Sequence, residues 1–517
     1  MRRAVFGVFA ICAAALIAPA AAGAQVLRVG TYNGIPGQYT SIQAAVDAAQ
    51  PGDTILVAPG DYKTTSSRAP SDATDTPAAV LITTPNITLR GMDRNGTVID
   101  GTKPGSPQCS SAAGDQNLGP NGEGLNGIMV WKADNVSVEN LTACNFLSGA
   151  GDAGNEIWWN GGDGSGMIGG WGYTGSYLTA TSTYYRSEAT AAAYGVFSSN
   201  WSGGTWDRTY TSNFNDSGLY IGACRQVCDQ TVNRAWSEYN ALGYSGSNSG
   251  GWLVVKNSQF DKNEDGFDTN SQNGDEPSPQ NGACPKGVRS PIHMKGRCWV
   301  FMHNYVHDNN NPNVPSAGNA AAGPVGTGVS ISGARNDTIM DNLFVHNGAW
   351  GTIFVPYPDS GPPCKGGTPD PPLAKCLFDE WGDALLHNTY AKTGFFGNKT
   401  NGDFAAVNLK SHEPTDCYRA NDEVGGKPVK SSPANAEKKY PKCTGKKVAA
   451  DSNLSFLLEV ACDSRTKVGG TVPCSPSDHY PRRKRVIMHP LPTHLQSMPN
   501  PCAGVPANPW CRGRQTT

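Results

Sequence analysis

The chain has 517 residues, and its 41 basic and 43 acidic residues leave a formal net charge of −2. Charged residues make up only 16% of the chain and no basic stripe runs along its main body, so nucleic acid is excluded as an expected partner. The polar, weakly charged surface is compatible with a glycan partner. An asparagine-rich solenoid has the same composition, so composition alone does not decide the function.

Residues 1–24 are the first predicted element, a secretory signal peptide. Two arginines precede an apolar stretch from Ala4 to about Ala18, and Ala22-Gly23-Ala24 offers a small-residue cleavage site. The apolar stretch is too short to span a membrane, and no later stretch is long or apolar enough to do so. We therefore expect a monomeric mature chain from Gln25, secreted by a bacterium to its surface or surroundings.

Fourteen cysteines remain after the one in the signal peptide, and export to an oxidising compartment favours disulfides over metal thiolates. The cysteines that lie close together in the sequence are Cys224 and Cys228, Cys284 and Cys298, Cys364 and Cys376, Cys462 and Cys474, and Cys502 and Cys511. We expect Cys284 with Cys298 and Cys224 with Cys228 to pair.

The next predicted element is a short helix. The apolar residues from Ile42 to Ala49 fall on one helical face, and Ser41 precedes them as a capping residue. Pro51-Gly52-Asp53 ends the helix, and a strand follows from Thr54 to Ala58. This arrangement resembles the N-terminal cap of right-handed parallel β-helix proteins, among them pectate lyases, alginate lyases and mannuronan epimerases.

Repeats in the middle of the chain favour the same architecture. Asn215, Asn240 and Asn263 each begin an N-x-x-G pattern, at spacings of 25 and 23 residues, with short β-rich runs between them. Repeats of this length are typical of a solenoid. We predict an all-β fold, a right-handed parallel β-helix over residues 25–410 with long loops, in which the asparagines stack from coil to coil.

Two segments depart from this pattern. Residues 155–210 are predicted to form an aromatic-rich insertion, whose rings either stack on sugars or pack between coils. Residues 411–517 hold six cysteines and many prolines, so we predict a disulfide-rich segment that caps the C-terminal end of the solenoid or forms a small appended module. The aromatic residues of the first segment are Trp158, Trp159, Trp171, Tyr173, Tyr177, Tyr184, Tyr185, Trp201 and Trp206.

The run from Asn263 to Glu276, NEDGFDTNSQNGDE, holds five carboxylates in fourteen residues. Aligned on N-x-x-G, Glu264 corresponds to Asp216 and Ala241, Asp265 to Ser217 and Leu242, and Asp268 to Tyr220 and Ser245. The fold therefore does not require acids here. Carboxylates packed this closely repel one another unless a cation or a proton compensates.

Asn263-Glu-Asp-Gly-Phe-Asp268 resembles the N-x-D-D-G-W-D-like coil of the family 9 pectate lyases. The resemblance implies that Glu264, Asp265 and Asp268 bind Ca²⁺, and that Gly266 turns the chain so that they converge. It also implies a lysine base some dozens of residues later. A further calcium ligand has no clear match in this chain, and the candidates are Glu238, Asn240 and Asp261.

Lys295 is the first choice for the base, in the sequence Ser290-Pro-Ile-His-Met-Lys-Gly296, with Lys256 and Lys286 as alternatives. His293 and Arg297 are candidates for binding the carboxylates of an extracellular uronan. In this hypothesis the lysine removes the C5 proton of a uronate, and Ca²⁺ stabilises the charge that develops.

Three alternatives stay open for the acidic run. The calcium could only brace a loop. Paired carboxylates among Asp265, Asp268, Asp275 and Glu276 could instead act in a glycoside hydrolase. The run could also be only a solvated turn. For the protein as a whole, a solenoid that binds glycans without catalysis stays open as well. A lysine beside the acids favours a lyase, facing carboxylates without lysine favour a hydrolase, and a flat face without convergent groups favours a binder. No G-x-S-x-G or H-E-x-x-H motif supports a serine esterase or a zincin.

Overall fold

The computed structural model describes residues 23–512 apart from 65, 225–226, 273–279, 360–363, 371–373, 408–414, 444–452, 464–473 and 475. All but the last two residues of the predicted signal peptide therefore lie outside the described residues. Within the described chain, no helix is both long enough and apolar enough to cross a membrane.

The strands stack in parallel into the right-handed parallel β-helix that the sequence predicts, with three sheets around one core. Sheet 1 has eleven strands. They are Ala78–Ile82, Asn126–Trp131, Asn155–Asn160, Tyr194–Ser199, Ser217–Gly222, Leu242–Ser247, Asp268–Asn270, Thr327–Ser332, Trp350–Val355, Gly402–Ala406 and Ser431–Ser432.

Sheets 2 and 3 are joined into one 22-stranded network, because two long strands, Val136–Cys144 and Tyr173–Thr181, run through both. The other strands of sheet 2 are Val26–Val29, Thr54–Val57, Thr88–Gly91, Gly204–Asp207, Gln230–Asn233, Leu253–Lys256, Trp299–Met302, Thr338–Met340, Ala384–Leu386 and Cys417–Arg419. The others of sheet 3 are Gly60–Lys63, Thr97–Asp100, Tyr210–Ser212, Trp236–Glu238, Gln259–Asp261, Tyr305–His307, Leu343–Val345, Thr389–Ala391 and Asp422–Glu423, with Lys427–Pro428 antiparallel at its end.

The remaining elements lie outside the three parallel sheets. Thr31–Tyr32 and Ile35–Pro36 form a hairpin, Gly170–Trp171 pairs with Trp201–Ser202, and Tyr357–Asp359, Thr368–Asp370 and Ala374–Phe378 form a small antiparallel sheet. The helices are α1 (Ile42–Ala48), α2 (Ala436–Lys439) and α3 (Leu454–Asp463), with single 3-10 turns at Ala113–Asp115 and Ala320–Ala322.

Helix α1 covers the first coil, as predicted. The Ser41 hydroxyl caps its start by accepting the amide of Ala44. Its apolar face, with Ile42 and Val46, is buried in the main core, and the amide of Gln43 donates to the carbonyl of Leu81 on the first strand of sheet 1. The helix thus closes the N-terminal end of the apolar interior.

Asparagine ladders hold the turns between sheets, as the repeats predict. At each step the backbone N–H of one asparagine donates to the side-chain oxygen of the equivalent asparagine on the next coil. The side-chain NH₂ group of Asn263, for example, donates to the same oxygen of Asn309. Asn215 does not take part, because Phe214 occupies the ladder position before Asn240. One ladder is Asn240, Asn263, Asn309 and Asn347, and another is Asn304, Asn342, Asn388 and Asn421.

The turn from sheet 1 to sheet 2 has aspartates at the equivalent positions. The amide of Asp337 donates to Asp383 Oδ1 at 2.7 Å, and the amide of Asp383 donates to Asp416 Oδ1 at 2.9 Å. All three are buried. Burial raises the pKa of Asp337 and Asp383 well above the usual range and that of Asp416 to about 7, so this aspartate ladder holds protons near neutral pH.

Residues 155–210 form regular coils, which corrects the prediction of an insertion. The segment contributes strands to all three sheets, and Trp159, Trp201 and Trp206 are fully buried in the main core. Trp171 is 54% exposed, Tyr177 and Tyr185 are half-buried, and Trp158 packs outside the main core. Most of the aromatic rings in this segment therefore pack in the interior of the coils. Composition alone does not distinguish such an interior from a sugar-binding surface.

The predicted boundary at residue 410 also needs correction, because the sheets continue beyond it. Cys417–Arg419 pairs with Ala384–Leu386, and Ser431–Ser432 pairs with Gly402–Ala406. Helix α3 then packs Phe456 against Trp350 on the outer face of sheet 1, with ring centroids 5.6 Å apart.

The last described residues, 476–512, form an extended segment that we call the C-terminal strap. It runs back along the solenoid: the amide of His479 donates to Asn398, that of Ile487 to Asn313, and that of Leu495 to Asn95. It ends at the N-terminal hairpin, where the indole of Trp510 donates to the carbonyl of Ile35. The C-terminal strap is thus neither a cap on the C-terminal end of the solenoid nor a separate module.

The fourteen cysteines form seven disulfides, and the two predicted pairs are confirmed. The other three pairs that are close in sequence are bonded as well. Two further bonds join cysteines that are farther apart, Cys109 with Cys144 and Cys417 with Cys443. Disulfides in this number are the chemistry of an oxidising compartment.

Candidate active site

The acidic run lies at the start of a sheet 1 strand, and the alignment derived from the N-x-x-G repeats is confirmed there. Asp265 pairs with Leu242, which pairs with Ser217. Asp268 pairs with Ser245, which in turn pairs with Tyr220. Neighbouring coils place a hydroxyl, a leucine or a tyrosine where this coil has a carboxylate, so the acids are not required by the architecture.

Two residues within the run are structural. Asn263 is a member of a ladder, and Phe267 points into the core, where its ring stacks on Tyr244 at a centroid distance of 4.2 Å. Gly266 does not adopt the left-handed conformation of a glycine turn. A Cβ there would lie 2.6 Å from the carbonyl oxygen of Gly328, so the glycine is needed for close approach of the next coil, not for the predicted turn.

Asp265 and Asp268 nevertheless reach the same, outer face of sheet 1. The Ser330 hydroxyl donates to Asp265 Oδ2 at 2.6 Å, although Ser330 is the strand partner of Asp268. Asp268 accepts hydrogen bonds from the Ser332 hydroxyl at 2.8 Å and from the Asn270 amide at 2.6 Å. Uncharged donors on two coils therefore orient both carboxylates.

Asp216 is a third carboxylate of this group, and the sequence reading did not select it. It accepts hydrogen bonds from the Tyr194 hydroxyl at 3.1 Å and from the Ser217 hydroxyl at 3.0 Å. The charge of Asp268 contributes to raising its pKa, so the two carboxylates interact across the intervening coil. The available signal was its place in the first repeat, Asn215-Asp-Ser-Gly218, in register with Glu264.

Burial raises the pKa of all three acids, but not to the same extent. It raises the pKa of Asp216 and of Asp268 to about 6, against the hydrogen bonds that lower it. Asp265 is completely buried, and burial together with the charge of Asp268 raises its pKa well above the usual range. Burial thus favours the protonated form of Asp265, while Asp216 and Asp268 change charge near pH 6.

An aromatic cluster lies beside the acids on the same face. Trp158, Phe197 and Tyr220 occupy one outward register that continues through Ser245 to Asp268. The rings of Trp158 and Phe197 stack at 4.8 Å, and those of Phe197 and Tyr220 lie 4.7 Å apart. The acids therefore follow directly on an apolar wall.

We call the part of the sheet 1 face around Asp216 and Asp268 the cleft; its rings pack under Ala73 and Leu81. Trp158, Phe197 and Tyr220 are at least nine-tenths buried, whereas Tyr194, Asp216 and Asp268 are only half-buried. At the other end, Phe456 of α3 covers Trp350, Ile353 and Val355 of the same sheet. Along sheet 1, the two half-buried acids thus lie between the aromatic wall and the helix.

The structure does not bring the three predicted calcium ligands together as one close group. Among the described acidic, histidine and cysteine side chains, no group with mutually close ligand atoms, within 4.8 Å, contains Glu264, Asp265 and Asp268 together. Glu264 is fully buried. Asp275 and Glu276, the other members of the acidic run, lie outside the described residues. We derive no step through calcium.

The structure does not bring the predicted base and substrate-binding residues to this cleft. Lys295 and His293 are exposed, and Met294 between them packs with Met340 and Leu386 against sheet 2. The guanidinium of Arg297 is mostly buried at the aspartate ladder, where it donates to the carbonyl oxygens of Asp337 and Gly382. In this position Arg297 contacts the backbone of the aspartate ladder.

The other candidates lie elsewhere too. Glu238 and Asp261 are on sheet 3 and form ion pairs with Lys262 at 2.8 and 3.0 Å, and Asn240 is a ladder residue. Lys256 ends a strand of sheet 2, and Lys286 is exposed in the loop closed by Cys284 and Cys298. Among the described residues, the groups that shift the pKa of Asp216 and Asp268 include no lysine.

No protein-family model matches the chain, and no curated protein sequence matches it. Among solved structures, the A-module of the mannuronan C-5 epimerase AlgE4 from Azotobacter vinelandii is 13% identical with a TM-score of 0.44, over 80% of this chain and 95% of that one. Pectate lyase Pel9A is 14% identical with a TM-score of 0.36, over 89% of each chain. An alginate lyase from Paenibacillus sp. strain FPU-7 is 11% identical with a TM-score of 0.31, over 71% and 95%. At these scores the likeness assigns no activity, and the β-helix assignment rests on the strand pairing.

Proposed function

We propose that the protein is an exported polysaccharide-cleaving enzyme whose catalytic groups are Asp216 and Asp268. The observation that carries the proposal is this half-buried pair of interacting carboxylates, both with a pKa raised to about 6, beside an aromatic wall. No described lysine is among the groups that shift the pKa of either acid, which favours a hydrolase over a lyase. The seven disulfides support the export of the chain.

The two acids can supply the two groups that cleavage of a glycosidic bond requires. Cleavage of a glycosidic bond needs one carboxyl group that donates a proton to the leaving oxygen, and one carboxylate that acts as base or nucleophile. Burial raises the pKa of both acids to about 6, and the charge of Asp268 adds to the rise at Asp216, so we assign Asp216 as the acid and Asp268 as the base.

Calcium and a uronan lyase remain predictions from the sequence motif. A lyase would release products with an unsaturated uronate and would lose activity with a chelator if Ca²⁺ is required. A hydrolase would release new reducing ends without unsaturation and would not depend on the ion. Product analysis with and without chelator therefore separates the two reactions.

The test is a panel of extracellular polysaccharides incubated with the wild-type chain and with Asp268→Asn and Asp216→Asn. We expect new reducing ends from at least one polymer and a loss of about 100-fold or more in each variant. The matched control is Asp341→Asn, because Asp341 is an exposed turn residue with φ 54°, a conformation that asparagine also adopts. Full activity in both cleft variants would refute the proposed pair.

A further inference from the structure

The donors that reach the three acids of the cleft are uncharged. They are the hydroxyls of Ser217, Tyr194, Ser330 and Ser332, the amide side chain of Asn270, and the backbone N–H of Phe267. Each holds a carboxyl group of the protein itself. No described lysine, arginine or histidine is among the groups that shift the pKa of Asp216 or Asp268.

Two cations that could be considered for this role, Arg483 and Lys262, already form ion pairs. Asn215, the neighbour of Asp216, donates to the carbonyl oxygen of Glu188, whose carboxylate binds Arg483 of the C-terminal strap at 2.6 Å. Lys262 is held by Glu238 and Asp261 on sheet 3. Neither cation is free to neutralise an additional carboxylate over the floor of the cleft.

From this arrangement we infer that the glycan segment bound over Asp216 and Asp268 carries no carboxylate, and that the substrate is a neutral or amino-bearing polysaccharide instead of a uronan. The inference rests on the proposed function and names its substrate class. A uronate in the cleft would add a negative charge beside two acids, and its oxygens would need donors that the protein's own carboxyl groups use.

The aromatic wall is consistent with the same substrate class. Tyr194 is half-buried, its hydroxyl binds Asp216, and its ring stacks on Tyr220 at 5.0 Å. Aromatic rings of this kind present an apolar surface with a polar edge, which suits the C–H face and the hydroxyl rim of an uncharged sugar. An amino group on the sugar would in addition be attracted by the ionised acids.

The test compares matched polymers. For each backbone in a panel, the uncharged polysaccharide and the same chain oxidised to the carboxylate at C6 are supplied at equal length, together with an amino-sugar polymer. Cleavage by the wild-type chain gives kcat/KM, and affinity electrophoresis of the same chain gives binding. We expect the uncharged or amino form of one backbone to be favoured over its carboxylate form by about tenfold or more.

Ionic strength provides a second readout. If repulsion by the cleft acids causes the discrimination, salt should narrow the gap between the two forms, because it screens charges that are not fully buried. A carboxylate form cleaved as fast as its uncharged partner, with activity lost in Asp268→Asn, would overturn the inference and leave the proposed function intact. If no polymer is cleaved, the proposed function fails, and equal retardation of both forms in electrophoresis would still overturn the inference.

Discussion

At the scale of single residues, the chemistry of the cleft depends on hydroxyl groups that tune carboxylates. Ser332 donates to Asp268 and thereby lowers its pKa, against burial, which raises it to about 6. Ser332→Ala should therefore raise the pKa of Asp268 further. The base must be ionised, so the acidic limb of the pH–rate profile should move to higher pH, by up to about one unit. Ser247→Ala is the control, because Ser247 occupies the same outward register without contacting Asp268.

A pH profile of the wild-type chain tests the pair directly. Activity should rise with pH as Asp268 loses its proton near pH 6 and fall as Asp216 loses its own, which gives an optimum close to pH 6. A flat profile between pH 5 and 8 would contradict the assignment of both roles.

Gly266, within the acidic run, is needed for the packing of the next coil. Its missing Cβ lets the next coil approach, since a methyl group there would lie 2.6 Å from the Gly328 oxygen and 2.7 Å from the Asn309 amide nitrogen. We expect Gly266→Ala to lower the free energy of unfolding by about 1–3 kcal/mol, measured as a fall in Tm. Gly114→Ala should change little, because no atom lies within 4 Å of the added Cβ. Equal Tm values for the two variants would contradict this explanation.

The residue scale also shows which parts of the site the sequence could predict. The register of Asp265 and Asp268 followed from repeat spacing, because each coil must return to the same sheet. The same alignment placed Asp216 in register with Glu264 but gave no reason to select it, since its raised pKa comes from burial in the fold. The place of Lys295 could not be derived from the repeats either, because its neighbour Met294 packs against sheet 2 and repeat spacing does not predict the path of a loop.

At the scale of elements, the aspartate ladder makes stability depend on pH. Burial raises the pKa of its carboxyl groups above 3.8, the value expected in the unfolded chain. The stability from their protons is therefore full below that value and is lost as pH rises through the folded pKa, which for Asp416 is about 7. We expect Tm to fall between pH 4 and 8 in part for this reason.

Asp383→Asn isolates the contribution of the ladder. An asparagine here can donate a hydrogen bond, as the side chains of the asparagine ladders do, so the variant should be more stable than wild type at pH 8 by about 1–3 kcal/mol and similar to it at pH 4. Asn388→Asp makes the reverse change in a neighbouring ladder and should destabilise at pH 8. A pH-independent difference in both variants would argue against buried protons as the cause.

At the scale of the whole molecule, the solenoid and its N-terminal cap were predictable because local pattern and repeat spacing agree. The course of the C-terminal strap was not, because an extended, proline-rich segment has no periodicity that names its partners. The strap is bound by single side chains of the coils, such as Asn95, Asn213 and Asn313. In the sequence nothing distinguishes these asparagines from the many others.

Trp510 is the point where the strap closes on the first coils. It is 7% exposed, its indole donates to the carbonyl of Ile35, and its ring lies 5.7 Å from that of Tyr32. We expect Trp510→Ala to lower the local stability of the N-terminal hairpin by about 3 kcal/mol, seen as faster hydrogen exchange in residues 26–36 with unchanged exchange in sheet 1. Trp171→Ala, at an exposed site, is the control. Equal exchange in both variants would mean that the strap does not hold the hairpin.

Because the strap returns to Tyr32, the first and last described segments lie at the same end of the solenoid, although the coils proceed in one direction only. The covalent order of the chain is therefore not dictated by its architecture. A circular permutant that joins Arg512 to Gln25 through a short linker and begins at Gly426, in an exposed turn, should fold to the same structure. In that chain the strap would be synthesised before the coils that it spans, so a comparison of refolding rates would show whether it docks on a finished solenoid or guides its assembly.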